Sequence, residues 1–444
     1  LTYISSYVMK GTGILASFLV LHVLSPAEFG LWKVAMAIAG VASSWFMAIH
    51  PAVTAEMIRA EVDHGVERHG LILWKGYWRL TLVLTLLASV LAVFMGAMIS
   101  RWFGLTDVRL FYLAMGLMFL WVVKVHAQIW SKVLYQFRPM LWSQIIEGVS
   151  YLGLLWVFLY GMRAGALGLG IANLVSVMLG LCCSGWLILK GWRHCPATSI
   201  QQDLVQLTNL LRQHGKWAFV LKLLKDNIDA FRIWFIQWMI GPYAVGLYSF
   251  AQSILVQFLT ILNIETAFVA TITRVVDVRD RFLALMGQAV RLSTVVYTAI
   301  FVTACIAVPL AVPLLFPAYV PGITVFLTIA PYIILNGMYA ILSNVFHILR
   351  WQKKLCLIYL GRVVLFAIMI VTIGWKRPLV VASLEFVVGA SLQVVLMMLI
   401  LRRAYALEGA MGPLFLPART DLPLLRERTA RAWSVMQHFF RRPR

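Results

Sequence analysis

Long apolar segments follow one another along almost the entire chain, and only short polar stretches separate them. A helix needs about 20 mainly apolar residues to cross a membrane. Windows of ~19 residues therefore predict an all-α polytopic membrane protein with twelve transmembrane helices. The predicted spans are residues 2–24, 30–49, 77–100, 109–130, 141–160, 165–189, 216–240, 244–265, 289–312, 322–348, 356–374 and 379–401.

The composition supports this prediction. Apolar residues make up 62% of the 444 residues, charged residues only 12%, and the mean hydropathy is +0.87. A soluble domain with this balance would lack a charged surface. The net charge of +21 would suggest nucleic acid in a soluble protein. In a membrane protein it indicates basic cytoplasmic loops, so we expect no nucleic-acid partner.

The basic residues are distributed unevenly between the two sides of the predicted spans. One side, with its flanks and the C-terminal tail, carries 26 of the 38 Lys and Arg residues, whereas the other side carries six. The positive-inside rule then predicts that both termini are cytoplasmic in a bacterial inner membrane. Residues 402–444 form a basic tail, predicted as an amphipathic helix on the membrane surface. A disordered tail remains the alternative.

Four prolines follow one another at four-residue steps near the end of predicted span 9. Proline lacks an N–H group and disfavours a helix interior. The run therefore predicts the end of that helix and a stiff external connection made by Pro309, Pro313, Pro317 and Pro321.

An internal repeat relates the two halves of the chain. The turn after span 1 and the turn after span 7 share a Pro and a Gly at an offset of 216 residues, and the same offset relates Arg138 to Lys354. The repeated turn residues are Pro26, Gly30, Pro242 and Gly246. Proline ends a helix and glycine permits a tight turn. Six spans per repeat give both halves the same topology, with a cavity between them.

The paired turns 25–32 (SPAEFGLW) and 241–248 (GPYAVGLY) resemble those of the multidrug/oligosaccharidyl-lipid/polysaccharide (MOP) exporter superfamily, and most of all its Wzx-type polysaccharide flippases. The resemblance implies a MATE-like fold with two six-helix lobes, residues 1–190 and 216–401, joined by a cytoplasmic linker, 191–215. It also implies alternating access that moves an undecaprenyl-pyrophosphate-linked oligosaccharide outward. Membrane lipids and the polymerase and chain-length proteins of such a pathway are the implied partners.

Span 7 carries the densest set of ionisable residues within the predicted membrane region. At 100° per residue all five fall within a ~120° sector of the helix. They are Lys222, Lys225, Asp226, Asp229 and Arg232. Such a face avoids lipid, so it predicts contact with a hydrated cavity. Two interpretations stay open, namely that the cations bind a pyrophosphate, or that the carboxylates neutralise them within the helix.

Further polar groups fall within other spans. Lys10, Lys124, Gln128 and Arg362 are predicted to contribute to substrate binding. Lys10 and Arg362 lie near the cytoplasmic side, where reaching out to the headgroups is the alternative. The surplus of basic groups favours an anionic cargo.

Ion coupling requires a carboxylate at membrane depth, and H⁺ or Na⁺ is the predicted coupling ion. The candidates are Asp226, Asp229 and Glu385, of which Asp229 is predicted to matter more than Glu385 because it belongs to the charged face. Glu147 and Glu265 lie near span ends and are expected to be interfacial. No cofactor and no metal site is predicted.

Three other functions are disfavoured. A MATE-like drug antiporter would favour acidic groups in its interior. Glycan polymerases and ligases resemble one another in having a sizeable external loop, and the predicted spans of this chain leave no room for such a loop. An ATP-driven exporter would need a phosphate-binding Gly-rich loop, which the sequence lacks. The chain is therefore predicted to be a transporter and not an enzyme.

Overall fold

The computed structural model describes residues 2–48, 50, 53, 67–133, 137–194, 205, 208–209, 216–261, 272, 275 and 278–405. Its regular elements in these ranges are helices. The α-helices are α1 (Thr2–Val23), α2 (Pro26–Met47), α3 (Glu67–Trp102), α4 (Val108–Val133), α5 (Phe137–Leu155), α6 (Gly165–His194), α7 (Lys216–Met239), α8 (Pro242–Ile261), α9 (Arg279–Leu315), α10 (Gly322–Ile329), α11 (Tyr332–Ile348), α12 (Gln352–Met369) and α13 (Pro378–Ala404). Short π-helical segments follow α5 at Trp156–Gly161 and α12 at Ile370–Gly374.

The chain is a multi-pass membrane protein. Each predicted span overlaps a helix, with α10 and α11 together occupying span 10. Within the described residues, seven helices are long and apolar enough to cross a membrane, or eight if the bent pair α10–α11 is one span. The five ionisable residues of its charged face keep α7 out of this set. The count of twelve spans stays a prediction.

Two helices extend well beyond the spans predicted for them. α3 begins at Glu67 rather than near residue 77, and α9 begins at Arg279 rather than near residue 289. Hydropathy detects only the apolar part of a helix. The additional turn of α9 carries exposed Arg279 and Arg281, which suit the headgroup region, whereas Lys75 in the additional turns of α3 is buried in the protein.

The prediction for the proline run was wrong for its first half. Pro309 and Pro313 lie inside α9, and the connection consists only of a short 3₁₀ turn, Pro317–Tyr319, and its flanking residues. Transmembrane helices tolerate proline because neighbouring groups and local adjustments satisfy the freed carbonyls. A different proline interrupts span 10, because α10 and α11 meet at Pro331 with a bend of 41°.

The chain divides into two compact units, one of residues 1–253, 311–325 and 370–382, the other of 254–310, 326–369 and 383–444. In the first unit α2 packs along α7, and α6 packs against both α4 and α5. The six-helix lobes stay a prediction. Most of the predicted linker and the tail after Tyr405 lie outside the described residues.

Side-chain hydrogen bonds fix the turn between α1 and α2 on both sides. Ser25 and Glu28 form a capping box, in which the Ser25 side chain accepts from the Glu28 N–H and Glu28 accepts from the Ser25 N–H. Buried Tyr319 donates its hydroxyl to the Leu24 carbonyl at 3.1 Å, and its ring stacks on Phe250. Burial raises the pKa of the Tyr319 phenol and keeps it a donor.

Candidate functional site

The position of α7 follows from its apolar face. Phe219 packs edge-on against Trp45 of α2, and Trp234 lies 5.0 Å from the Phe103 ring after α3. The Gln237 side-chain amide donates to the Phe103 carbonyl at 3.0 Å. These contacts anchor α7 along a side that adjoins its charged face, on which Lys225 and Asp229 remain exposed.

The charged face contains two ion pairs along the helix. Lys222 Nζ lies 2.6 Å from Asp226 Oδ2, with the two side chains 41% and 26% exposed. Arg232 Nη1 donates to Asp229 Oδ1 at 2.7 Å. Arg232 is only 1% exposed, whereas Asp229 is 52% exposed. Helical spacings of four and three residues place these partners side by side.

Lys225 differs from the other two cations of α7. Its side chain is exposed, and in the described part of the chain no carboxylate pairs with it. The five residues therefore include two compensated pairs, as the neutralisation hypothesis expects, together with one accessible and uncompensated ammonium group. Whether these groups touch a substrate stays a prediction.

Lys124 forms a second kind of ion pair, between helices. Its Nζ lies 2.7 Å from Glu147 Oε1 and 2.5 Å from Oε2, joining α4 to α5. Both side chains are nearly buried. Glu147 thus points into the protein at Lys124, and the expectation that it lies at interfacial depth stays a prediction. Gln128, one turn further along α4, is half-buried.

Arg362 is the centre of a buried network in the second unit. Its Nε donates to Glu385 Oε1 at 2.6 Å, and its Nη1 donates to Gln393 Oε1 at 3.1 Å, which joins α12 to α13. Glu385 is 0% exposed. A Cβ on Gly389 would lie 2.6 Å from Arg362 Nε, so only glycine leaves room for the pair.

One member of each interhelical pair lies on the fifth helix of its repeat, although the partner comes from the fourth helix in the first repeat and from the sixth in the second. Shifted by 216 residues, Glu147 falls one position after Arg362. Each repeat thus carries a buried charge on its fifth helix, acidic in one and basic in the other. Each of those charges is paired with a group of opposite sign from a neighbouring helix.

The repeated turns meet one another within the first unit. A Cβ on Gly30 would overlap the Pro242 carbonyl and lie 2.9 Å from the Gly246 nitrogen. A Cβ on Gly246 would overlap the Pro26 carbonyl and lie 2.9 Å from the Pro26 Cα. The first turns of α2 and α8 therefore cross backbone to backbone, with the reciprocal contacts that a local two-fold axis produces.

Some predicted residues are not described. Lys10 lies on α1, but its side chain is outside the described part, and Glu265 is outside it altogether. Sequence reasoning missed Gln393 and Gly389. A neutral amide and a glycine carry no charge signal, so only the facing helices reveal them.

Solved structures identify the fold. An inward-facing multidrug resistance MATE transporter of the MOP superfamily aligns with a TM-score of 0.70 at 15% identity, covering 89% of this chain and 94% of that one. The lipid II flippase MurJ, in its inward closed conformation, aligns with a TM-score of 0.74 at 11% identity, covering 90% of this chain and 87% of that one. A MOP superfamily transporter from Pyrococcus furiosus with a binding pocket of reverse polarity aligns with a TM-score of 0.58 at 15% identity, covering 91% of this chain and 93% of that one. The chain has the MOP-superfamily fold.

The family follows from the sequence. A family model described as polysaccharide biosynthesis protein matches residues 1–269. The chain belongs to this family, as the repeated turns had indicated. No curated protein matches the sequence at a significant level.

Proposed function

We propose that the protein is a flippase that carries an undecaprenyl-pyrophosphate-linked oligosaccharide from the cytoplasmic to the periplasmic leaflet by alternating access, coupled to H⁺ or Na⁺. The observation that carries the proposal is the exposed, uncompensated Lys225, one turn from partly exposed Lys222, on α7 of a chain of the polysaccharide biosynthesis family. A pyrophosphate brings several anionic oxygens, and ionised donors form the strongest hydrogen bonds to such groups.

The three cations of α7 have different parts in this proposal. Lys225 is exposed and uncompensated, so it meets the pyrophosphate first. Lys222 is half-exposed beside Asp226 and exchanges that carboxylate for phosphate at little cost, since both partners remain hydrated. Buried Arg232 holds Asp229 at the edge of the face.

Lys124 and Arg362 have a different role in the proposal. Each is nearly buried and already bound to a glutamate of a neighbouring helix. Removing a buried charge from its partner is costly. In this proposal both residues therefore join neighbouring helices, and the cargo contacts α7 rather than Lys124 or Arg362.

Alternating access requires one end of the pathway to close while the other opens. We propose that the crossing of α2 and α8 at Gly30 and Gly246 forms part of the external closure. Because no side chains lie between the two backbones, α2 and α8 can pack closely in one state. They can still separate when one helix moves as a rigid element away from the other.

Replacing Lys222 and Lys225 together by alanine is expected to lower polymer production in a Wzx-deficient strain by about tenfold or more, since each ionic hydrogen bond contributes roughly 1.5–3 kcal/mol. The assay measures surface polysaccharide at matched protein levels in the membrane. Lys216→Ala removes a charge from the start of the same helix, outside the charged face, and should leave production unchanged. Normal production by the double variant would exclude the proposed phosphate contact.

Asp229→Asn is expected to reduce polymer production strongly, because an exposed carboxylate on the charged face of α7 is the group best placed to bind the coupling ion. Production in the same strain is measured while the ion gradients are varied. Asp107→Asn, at an exposed turn between α3 and α4, serves as the matched control. If Asp229→Asn supports normal production, Asp229 has no part in coupling.

The same strains separate the proposal from drug export. A MATE-like antiporter would fail to restore the polymer and would raise resistance to cationic drugs on expression. The α7 variants would then change drug resistance and leave polysaccharide unaffected.

A further inference from the structure

A groove of about 580 Å³ runs along the surface between α12 and α13, within the second unit. Its walls are apolar over most of their length, and two basic side chains lie at one end. The lining residues are Lys354, Leu357, Ile358, Leu396, Ile400, Arg403 and Ala404.

The two basic residues of the groove are available to a ligand. Both are exposed, and in the described part of the chain neither forms an ion pair with a carboxylate. Lys354 Nζ lies 3.6 Å from the centre of the Trp351 ring, which fixes the ammonium group at the mouth of the groove. Among the residues that the structure describes, no acidic side chain lines the groove.

The order of groups along the groove has the same polarity as a phospholipid. α12 begins at Gln352 and α13 ends at Ala404, so Lys354 and Arg403 lie at the helix ends, at headgroup depth. At 1.5 Å per residue, Leu357 and Leu396 lie roughly 5–11 Å further in, where acyl chains are found. A lipid phosphate would contact the two basic residues at the mouth, and an acyl chain would pack along the apolar walls.

We propose that this groove binds one anionic phospholipid, with its phosphate between Lys354 and Arg403. The segment that follows Tyr405 in the sequence is a poor occupant, because it is itself net basic. Zwitterionic phospholipids lack the net negative charge that two basic residues select. The bound lipid braces α12 against α13, the two helices that share the Arg362–Glu385 pair.

Native mass spectrometry of the delipidated, full-length protein tests the site, with phosphatidylglycerol, phosphatidylethanolamine and undecaprenyl phosphate as separate probes. Lys354→Ala with Arg403→Ala should weaken phosphatidylglycerol binding by about tenfold or more. Lys353→Ala with Arg402→Ala removes the same charge from adjacent exposed positions and should change binding less than about twofold. Phosphatidylglycerol should raise the melting temperature of the control variant and not that of the groove variant.

A second pair of variants tests the apolar walls while keeping both charges. Ile400→Trp fills the groove and should abolish the one-lipid state, whereas Leu399→Trp, at an exposed neighbouring position, should retain it. Equal loss in the groove and control variants would overturn the proposal, as would equal affinity for phosphatidylethanolamine. Selective dependence of undecaprenyl phosphate alone on Lys354 and Arg403 would also overturn it and would assign the groove to the cargo. None of these measurements depends on flippase activity.

Discussion

Gly30→Ala is expected to destabilise the folded protein by about 3 kcal/mol and to reduce the yield of monodisperse protein several-fold. The added Cβ would overlap the Pro242 carbonyl, and a backbone group cannot rotate away as a side chain can. α2 and α8 must therefore separate at their first turns. Gly246→Ala should behave in the same way, because its Cβ would overlap the Pro26 carbonyl. Yield and melting temperature in detergent measure both effects.

Gly40→Ala provides the control on the same helix as Gly30. No heavy atom lies within 4 Å of a Cβ at Gly40, so alanine there meets open space. Alanine also lowers the conformational entropy of the unfolded chain, which leaves stability unchanged or slightly increased. If Gly30→Ala and Gly40→Ala melt at the same temperature, the close crossing of α2 and α8 is not a feature of the folded protein.

Hydropathy and periodicity predicted the helices because each depends on a local property. The i,i+4 pairing of Lys222 with Asp226 and the i,i+3 pairing of Asp229 with Arg232 are also readable along one helix. The sequence does not reveal that Asp229 takes Arg232 as its partner and leaves Lys225, four residues earlier, unpaired. That choice depends on rotamers and on what surrounds the face.

Contacts between helices could not be predicted in the same way. Lys124 and Glu147 are 23 residues apart, as are Arg362 and Glu385, but nothing in a single helix indicates which faces meet. The repeat suggested equivalent turns without indicating that Gly30 and Gly246 touch. Such contacts arise from the register and crossing of packed helices, which single-sequence patterns do not contain.

Glu385→Gln is expected to destabilise the protein by about 3 kcal/mol or more, because it leaves the Arg362 guanidinium buried without a counter-charge. Glu385 is fully buried and accepts from Arg362 Nε at 2.6 Å. The exposed Asp107–Arg109 pair provides the comparison. Hydrogen bonding from Arg109 lowers the pKa of Asp107, yet Asp107→Asn should cost below about 1 kcal/mol, as exposed pairs usually do. Denaturation in detergent measures both.

Removing both charges separates a structural role from a substrate contact. Arg362→Met combined with Glu385→Gln leaves no unpaired ion, so it should recover most of the stability lost by Glu385→Gln alone. If this double variant folds and still supports polymer production, Arg362 acts by holding α12 to α13. If it folds normally but production is lost, the pair takes part in transport, through Arg362 on the cargo or through Glu385 in ion coupling, the two roles first predicted for these residues. A Glu385→Gln variant as stable as Asp107→Asn would show that the buried pair contributes little to the fold.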